Sequence, residues 1–167
     1  MKKYLPSLVA GFGAGVISVV PLLKSFACCL IVPAAAYVAL VLYQKSNNLD
    51  EPIETKKAIL LGVFTGLFAA LFATTFEIVI TLFTKQNDLI DAYGNMQSMI
   101  NSFPLDTSLK QQVIDLITNV VTDLQETGFS VIYSFTLLFN HLIVDTIFSF
   151  VGGVIGMQII NAKYKQK

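Results

Sequence analysis

Glu77, His141 and Asp145 are the side chains of this 167-residue chain whose types and settings could do chemistry. Each lies in an apolar run, where an ionisable group is costly and marks a functional hypothesis by default. Asp145 shares a helical face with His141 through the i, i+4 relation. Counted along their helices, Glu77 and His141 both fall about 30 Å from one membrane boundary, so the three could meet at one depth. A histidine between two carboxylates has its protonated form favoured, while burial in hydrocarbon favours the neutral form. Such a site could relay a proton, hold a small cation or sense pH. The structural alternative places Glu77 and His141 at the outer interface, with Asp145 bonded to Ser149, Asn140 or a neighbouring helix. One histidine with two carboxylates, and no second histidine or suitably spaced cysteine, is a thin basis for a metal centre, and no cofactor is expected.

The elements that must position these residues follow from composition. Hydrophobic residues make up 54% of the chain and charged residues only 13%, with a mean hydropathy of +0.69, whereas a soluble domain carries about 25% charged residues. Disorder is excluded by this composition, and a soluble globule is not expected. The eleven basic residues are all lysine and balance eleven acids, which removes the compositional basis for nucleic-acid binding. No phosphate loop, nucleophile elbow or paired hydrolytic motif is present, so no enzyme is expected.

Four apolar stretches, 5–23, 25–43, 58–83 and 129–160, have about the 20 residues needed to cross a hydrocarbon core. The expected fold is all-α: a polytopic membrane protein of four transmembrane helices, with an extracytoplasmic amphipathic helical insert over 86–128. Lys24, beside Pro21 and Ser25, reads as the tip of a tight hairpin between the first two spans. With both termini inside, the cytoplasmic side carries eight lysines and the other side only Lys24, Lys85 and Lys110. That asymmetry predicts cytoplasmic termini. An N-terminal signal ending at Ser25-Phe26-Ala27 competes with this reading, but cleavage there would leave a mature chain starting inside a span. Tyr4, Tyr37, Tyr43 and Tyr164 include interface anchors.

The insert holds six acids and two lysines between Lys85 and Gly128. Leu89, Ile90, Tyr93, Met96 and Ile100 recur at helical spacing, Phe103-Pro104 breaks the pattern, and Asp106-Thr107-Ser108 offers an N-cap. A second stripe runs through Leu109, Val113, Leu116, Ile117, Val120, Val121 and Leu124. Membrane-surface helices are usually basic on the polar face. This pair is acidic, which favours a hairpin lid over a lipid-bound surface, and Thr127-Gly128 marks a bend before the last span.

Small residues recur at one depth. Gly11 with Gly15, Gly62 with Gly66, and Gly152 with Gly156 form GxxxG pairs, and Ala35 with Ala39 is the alanine version; such pairs let helix backbones approach closely. All four fall about 6 to 16 Å from the cytoplasmic boundary, which predicts tight packing there. Phe26, Phe72, Phe76, Phe83, Phe135 and Phe139 at the other end would splay the helices into an outward cleft. Cys28 and Cys29 are adjacent and badly placed for a bridge, so packing as small hydrophobes is expected.

The Gly11-Phe12-Gly13-Ala14-Gly15 run through Ser18, Pro21 and Cys28-Cys29, the acidic insert, and Gly152-Gly153-Val154-Ile155-Gly156 before a lysine tail together resemble small four-span bacterial membrane proteins of unknown function. The resemblance implies a bacterial inner-membrane location and four spans, and carries over no site. The expected function is a non-enzymatic integral membrane protein acting through helix packing, as a homo-oligomer or as an accessory or structural subunit, with membrane lipid and other membrane subunits as partners. The alternative is a small transporter, channel or ion-coupled binder using Glu77, His141 and Asp145.

Overall fold

The computed structural model describes residues 4–165 and is all-helical over them. In chain order it has α1 (Leu5–Ser18), α2 (Pro21–Phe26), a π-helical turn (Ala27–Ile31), α3 (Val32–Ser46), α4 (Thr55–Thr84), α5 (Asp88–Ser102), α6 (Thr107–Thr127) and α7 (Val131–Lys165). Three helical stretches, Pro21–Ser46, Thr55–Thr84 and Val131–Tyr164, are long and apolar enough to cross a membrane. The apolar α1 has only 14 residues, about 21 Å of helix.

The first helical boundary differs from the expected one. Helix α1 stops at Ser18 and α2 begins at Pro21, so Lys24 lies within a helix rather than at a hairpin tip. Proline explains the shift. It disfavours helical backbone in the residue before it and suits the first helical position, where its missing N–H is not needed. Val20 is accordingly extended (φ −76°, ψ 121°). A second proline shapes the segment that follows. Pro33 has no N–H to donate and its ring crowds the preceding turn; just before it the helix widens, with Val32 N–H bonding the Ala27 carbonyl. Such π-turns accommodate a local misfit within an otherwise regular helix.

The chain divides into two units, Met1–Phe76 with Leu137–Lys167, and Glu77–Thr136. In the first, small residues bring helix backbones together. A Cβ added at Gly11 would lie 2.8 Å from the Thr65 carbonyl oxygen, and one at Gly15 would lie 3.0 Å from the Ala73 nitrogen, so α1 rests on α4. At Gly62 and Gly66 the obstacles are the Ser149 and Asp145 carbonyl oxygens, at 2.9 and 2.6 Å, so α4 meets α7. Gly152 closes on the backbone of Pro33, and Gly156 on Tyr37, so α7 meets α3. Helix α3 in turn packs on α1. Ala39 is fully buried, whereas Ala35 is half-buried and lines an open groove beside Gly13 and Ala34.

Hydroxyls reinforce these approaches. Ser7 Oγ donates to the Leu61 carbonyl at 3.0 Å and Ser149 Oγ to the Gly62 carbonyl at 2.7 Å. In hydrocarbon, interhelical bonds of this kind are worth about 0.6 kcal/mol on average and up to about 1.7. In the same unit, Leu40, Tyr43, Ile53, Ala58, Leu61 and Ile160 form an apolar cluster. The 47–54 connection is held there by Asn161, whose amide accepts from Ile53 N–H at 2.8 Å and donates to its carbonyl at 3.0 Å.

The phenylalanines expected to splay the helices fall into two groups. Phe26, Phe83, Phe135 and Phe139 are exposed on the helix surfaces. Phe72 and Phe76 pack around Phe12, with ring centroids 5.1 and 5.9 Å away. These rings add contact between α1 and α4 and do not force helices apart.

Candidate functional site

The structure pairs His141 with Asp145 and gives Glu77 a partner within its own unit. His141 and Asp145, one turn apart on α7, meet at 3.0 Å between Nδ1 and Oδ2. With the proton on Nδ1, the imidazole donates to the carboxylate and needs no net charge to do so. Asp145 is 5% exposed, so the bond supplies a partner that burial otherwise denies. Ser149 does not bond Asp145, because its hydroxyl is spent on the Gly62 carbonyl. Glu77 belongs to the second unit and is 8% exposed. It accepts from Tyr133 Oη at 2.8 Å, a bond available because Tyr133 lies in the first turn of α7. Its burial leaves it little access to the water or headgroups that the alternative reading gives it.

Tyr133, Asn161 and Ser7 were not singled out by sequence reasoning. The available signal was the same for each: a polar group within or at the edge of an apolar helix, where hydrocarbon leaves it only protein partners. Among the described residues, no set of three or more His, Cys, Asp and Glu side chains is arranged to hold a metal ion. Cys28 and Cys29 are free thiols with sulfurs 3.5 Å apart, and Cys29 is exposed rather than packed.

The second unit contains the α5–α6 hairpin. Asn87 caps α5 by accepting from Ile90 N–H at 3.0 Å, and Asp106 caps α6 by accepting from Ser108 N–H at 3.3 Å and from Ser108 Oγ at 2.5 Å. The two Ser108 bonds, the hydroxyl's foremost, hold the Asp106 carboxyl below its usual pKa. Between the helices Tyr93 Oη meets Thr118 Oγ1 at 2.6 Å and receives Gln97 Nε2 at 2.7 Å. Lys110 Nζ closes the tip on the Asn101 carbonyl at 2.9 Å. The base is pinned where Lys85 Nζ donates to the Glu126 carbonyl at 2.6 Å.

The stripe on α6 is therefore divided. Val120, Val121 and Leu124 are buried, as an amphipathic face should be. Leu109, Val113 and Leu116 are between 40% and 52% exposed. Met99, Phe103 and Leu105 extend this exposed apolar surface around the tip. An unpartnered apolar area on an otherwise acidic helical hairpin is the signature of an interaction surface. Compared with protein-family models, with curated proteins and with solved structures, the chain matches none.

Proposed function

We propose that the chain is a non-enzymatic integral membrane protein that serves as an accessory or structural subunit of a membrane complex in a bacterial cytoplasmic membrane. In this reading α1 joins the three longer helices as a fourth span in a four-helix bundle. Both termini are cytoplasmic and the α5–α6 hairpin is outside, as the lysine distribution favours. The short α1 is accommodated by local bilayer thinning or flanking side chains, at a modest cost per ångström of mismatch.

The observation that carries the subunit reading is the exposed apolar tip of the hairpin. The GxxxG faces favour it by elimination, because all six glycines meet helices of the same chain. They build the protomer, which leaves homo-oligomerisation through them without a surface. The hairpin remains as the broad extramembrane area where a subunit could dock. In the full-length protein, Leu109→Asp with Leu116→Asp is expected to leave thermal stability in detergent unchanged and to cut co-purification of its membrane partners at least about 10-fold. Asn119→Asp, an added charge at an exposed polar position, should retain them. Equal retention by all three proteins would remove the hairpin from the proposal.

The His141–Asp145 pair favours a second reading, an ion-coupled binder or carrier. Asp145→Asn separates the two, since the amide keeps an acceptor for His141 and cannot ionise. For the subunit reading, stability changes by less than about 1 kcal/mol and proteoliposome ion or proton flux is unaltered. Wild-type flux abolished by the variant would establish the carrier.

A further inference from the structure

Helices α3 and α7 end beside a cavity of about 560 Å³ that neither reading uses. Its wall is divided by chemistry. Tyr37, Val41 and Ile160 line the part that lies among the apolar turns, while Lys45, Asn48 and Lys163 line the part where the helices run out. No carboxylate residue lines it. The nearby Asp50 carboxylate receives Tyr164 Oη at 3.3 Å. Among the described residues, neither the Lys45 nor the Lys163 side chain has a hydrogen bond or ion pair, so both ammonium groups are available.

Helix C-termini ordinarily repel anions, because their last carbonyls point outward. At the end of α3 those carbonyls are occupied. Tyr43 O accepts from Ser46 Oγ and from Asn47 Nδ2, at 3.1 and 2.8 Å, and Gln44 O accepts from Leu49 N at 3.1 Å. Asn48 makes this tight closure in left-handed backbone, at φ 48°, a conformation asparagine tolerates better than most residues.

We propose that this cavity binds the phosphate-bearing headgroup of an anionic phospholipid, with Lys45 and Lys163 on the phosphate and the first acyl carbons against Val41 and Ile160. The charge complementarity of two unpaired lysines selects the phosphate. The apolar half of the wall, at the ends of two helices fit to cross a membrane, selects the lipid over a soluble anion. Basic pockets between membrane helices are a recurring form of lipid recognition.

The proposal rests on the membrane-spanning part of the reading above, and its test separates the two. Full-length protein in mild detergent is titrated with phosphatidylglycerol, with phosphatidylcholine of the same acyl chains, and with inorganic phosphate, and bound species are counted by native mass spectrometry. Phosphatidylglycerol should be retained preferentially. The double variant K45Q/K163Q should weaken that retention about 25-fold, from about 5-fold per lysine near a charged lipid surface, and K56Q/K57Q should leave it unchanged. Val41→Trp, which fills the cavity without altering charge, should weaken it as well. Equal loss in K56Q/K57Q, indifference to lipid charge, or displacement by inorganic phosphate at equal concentration would overturn the site. Retention of no lipid of either kind would overturn both the site and the membrane-spanning reading beneath it.

Discussion

Replacing Gly66 or Gly152 by valine is expected to destabilise the protein by about 3 kcal/mol or more, the upper end of the range for overpacking. The neighbours are backbone: a Cβ at Gly66 would lie 2.6 Å from the Asp145 carbonyl oxygen and 2.7 Å from Thr146 Cα, and one at Gly152 would lie 2.5 Å from the Pro33 carbonyl oxygen. A flexible side-chain end could move aside. A helix backbone moves only with its whole helix, so the α4–α7 or α3–α7 approach must open, and in the Gly66 variant the Ser149–Gly62 bond across α4–α7 must lengthen. Gly13 supplies the control, since a Cβ there meets nothing within 4 Å and Gly13→Val should cost under about 1 kcal/mol. Unfolding in mixed micelles of increasing denaturing detergent reads the difference. Equal losses at Gly13 and Gly66 would mean that these glycines do not set the packing.

The second large effect is expected at Gly128. It ends α6 in left-handed backbone, at φ 79°, a region where a β-branched residue is a true outlier. Its missing side chain also matters, because a Cβ would stand 2.7 Å from the Leu82 carbonyl oxygen. Gly128→Val therefore adds conformational strain of about 1–3 kcal/mol to a backbone collision. The Lys85–Glu126 bond lies beside it and should be lost with it. Hydrogen exchange of the full-length protein should accelerate at residues 77–136, most at the ends of α4 and α6. Unchanged exchange there would show that the junction tolerates a side chain.

The fold was legible where periodicity and length suffice. The third and fourth apolar runs, 58–83 and 129–160, correspond to α4 and α7, and residues 88–127 resolve into the two expected helices, the second capped by Asp106 as its sequence offers. Gly128 was legible as a bend because few other residues end a helix in left-handed backbone. The start of the chain was misread. Lys24 was given more weight than Pro21, although a single lysine tolerates a helix and a proline dictates the backbone before it. The environment of each phenylalanine was not legible for a different reason: hydropathy does not say whether an apolar ring faces lipid or protein, since both are favourable inside a bilayer.

The candidate site was legible only in part. The i, i+4 relation placed His141 on Asp145 without any tertiary information. Glu77 required a partner from another helix, and Tyr133 was hidden by its ordinary place in an apolar run. Glycine spacing identified the positions of close approach but not their partners. A GxxxG pair reads the same whether it meets its own chain or a second copy, and the contacts at Gly11, Gly15, Gly62, Gly66, Gly152 and Gly156 are all with the same chain. With the glycines so engaged, the exposed apolar residues Leu109, Val113 and Leu116 are the candidate partner surface.

The most direct test of the subunit reading is native mass spectrometry of the endogenous protein, released from its membrane in a mild detergent or polymer that retains neighbouring lipid. The account predicts a stoichiometric assembly with other membrane subunits, which the Leu109→Asp, Leu116→Asp variant reduces to the free protomer. A protomer or homo-oligomer alone, unchanged by that variant, would contradict it.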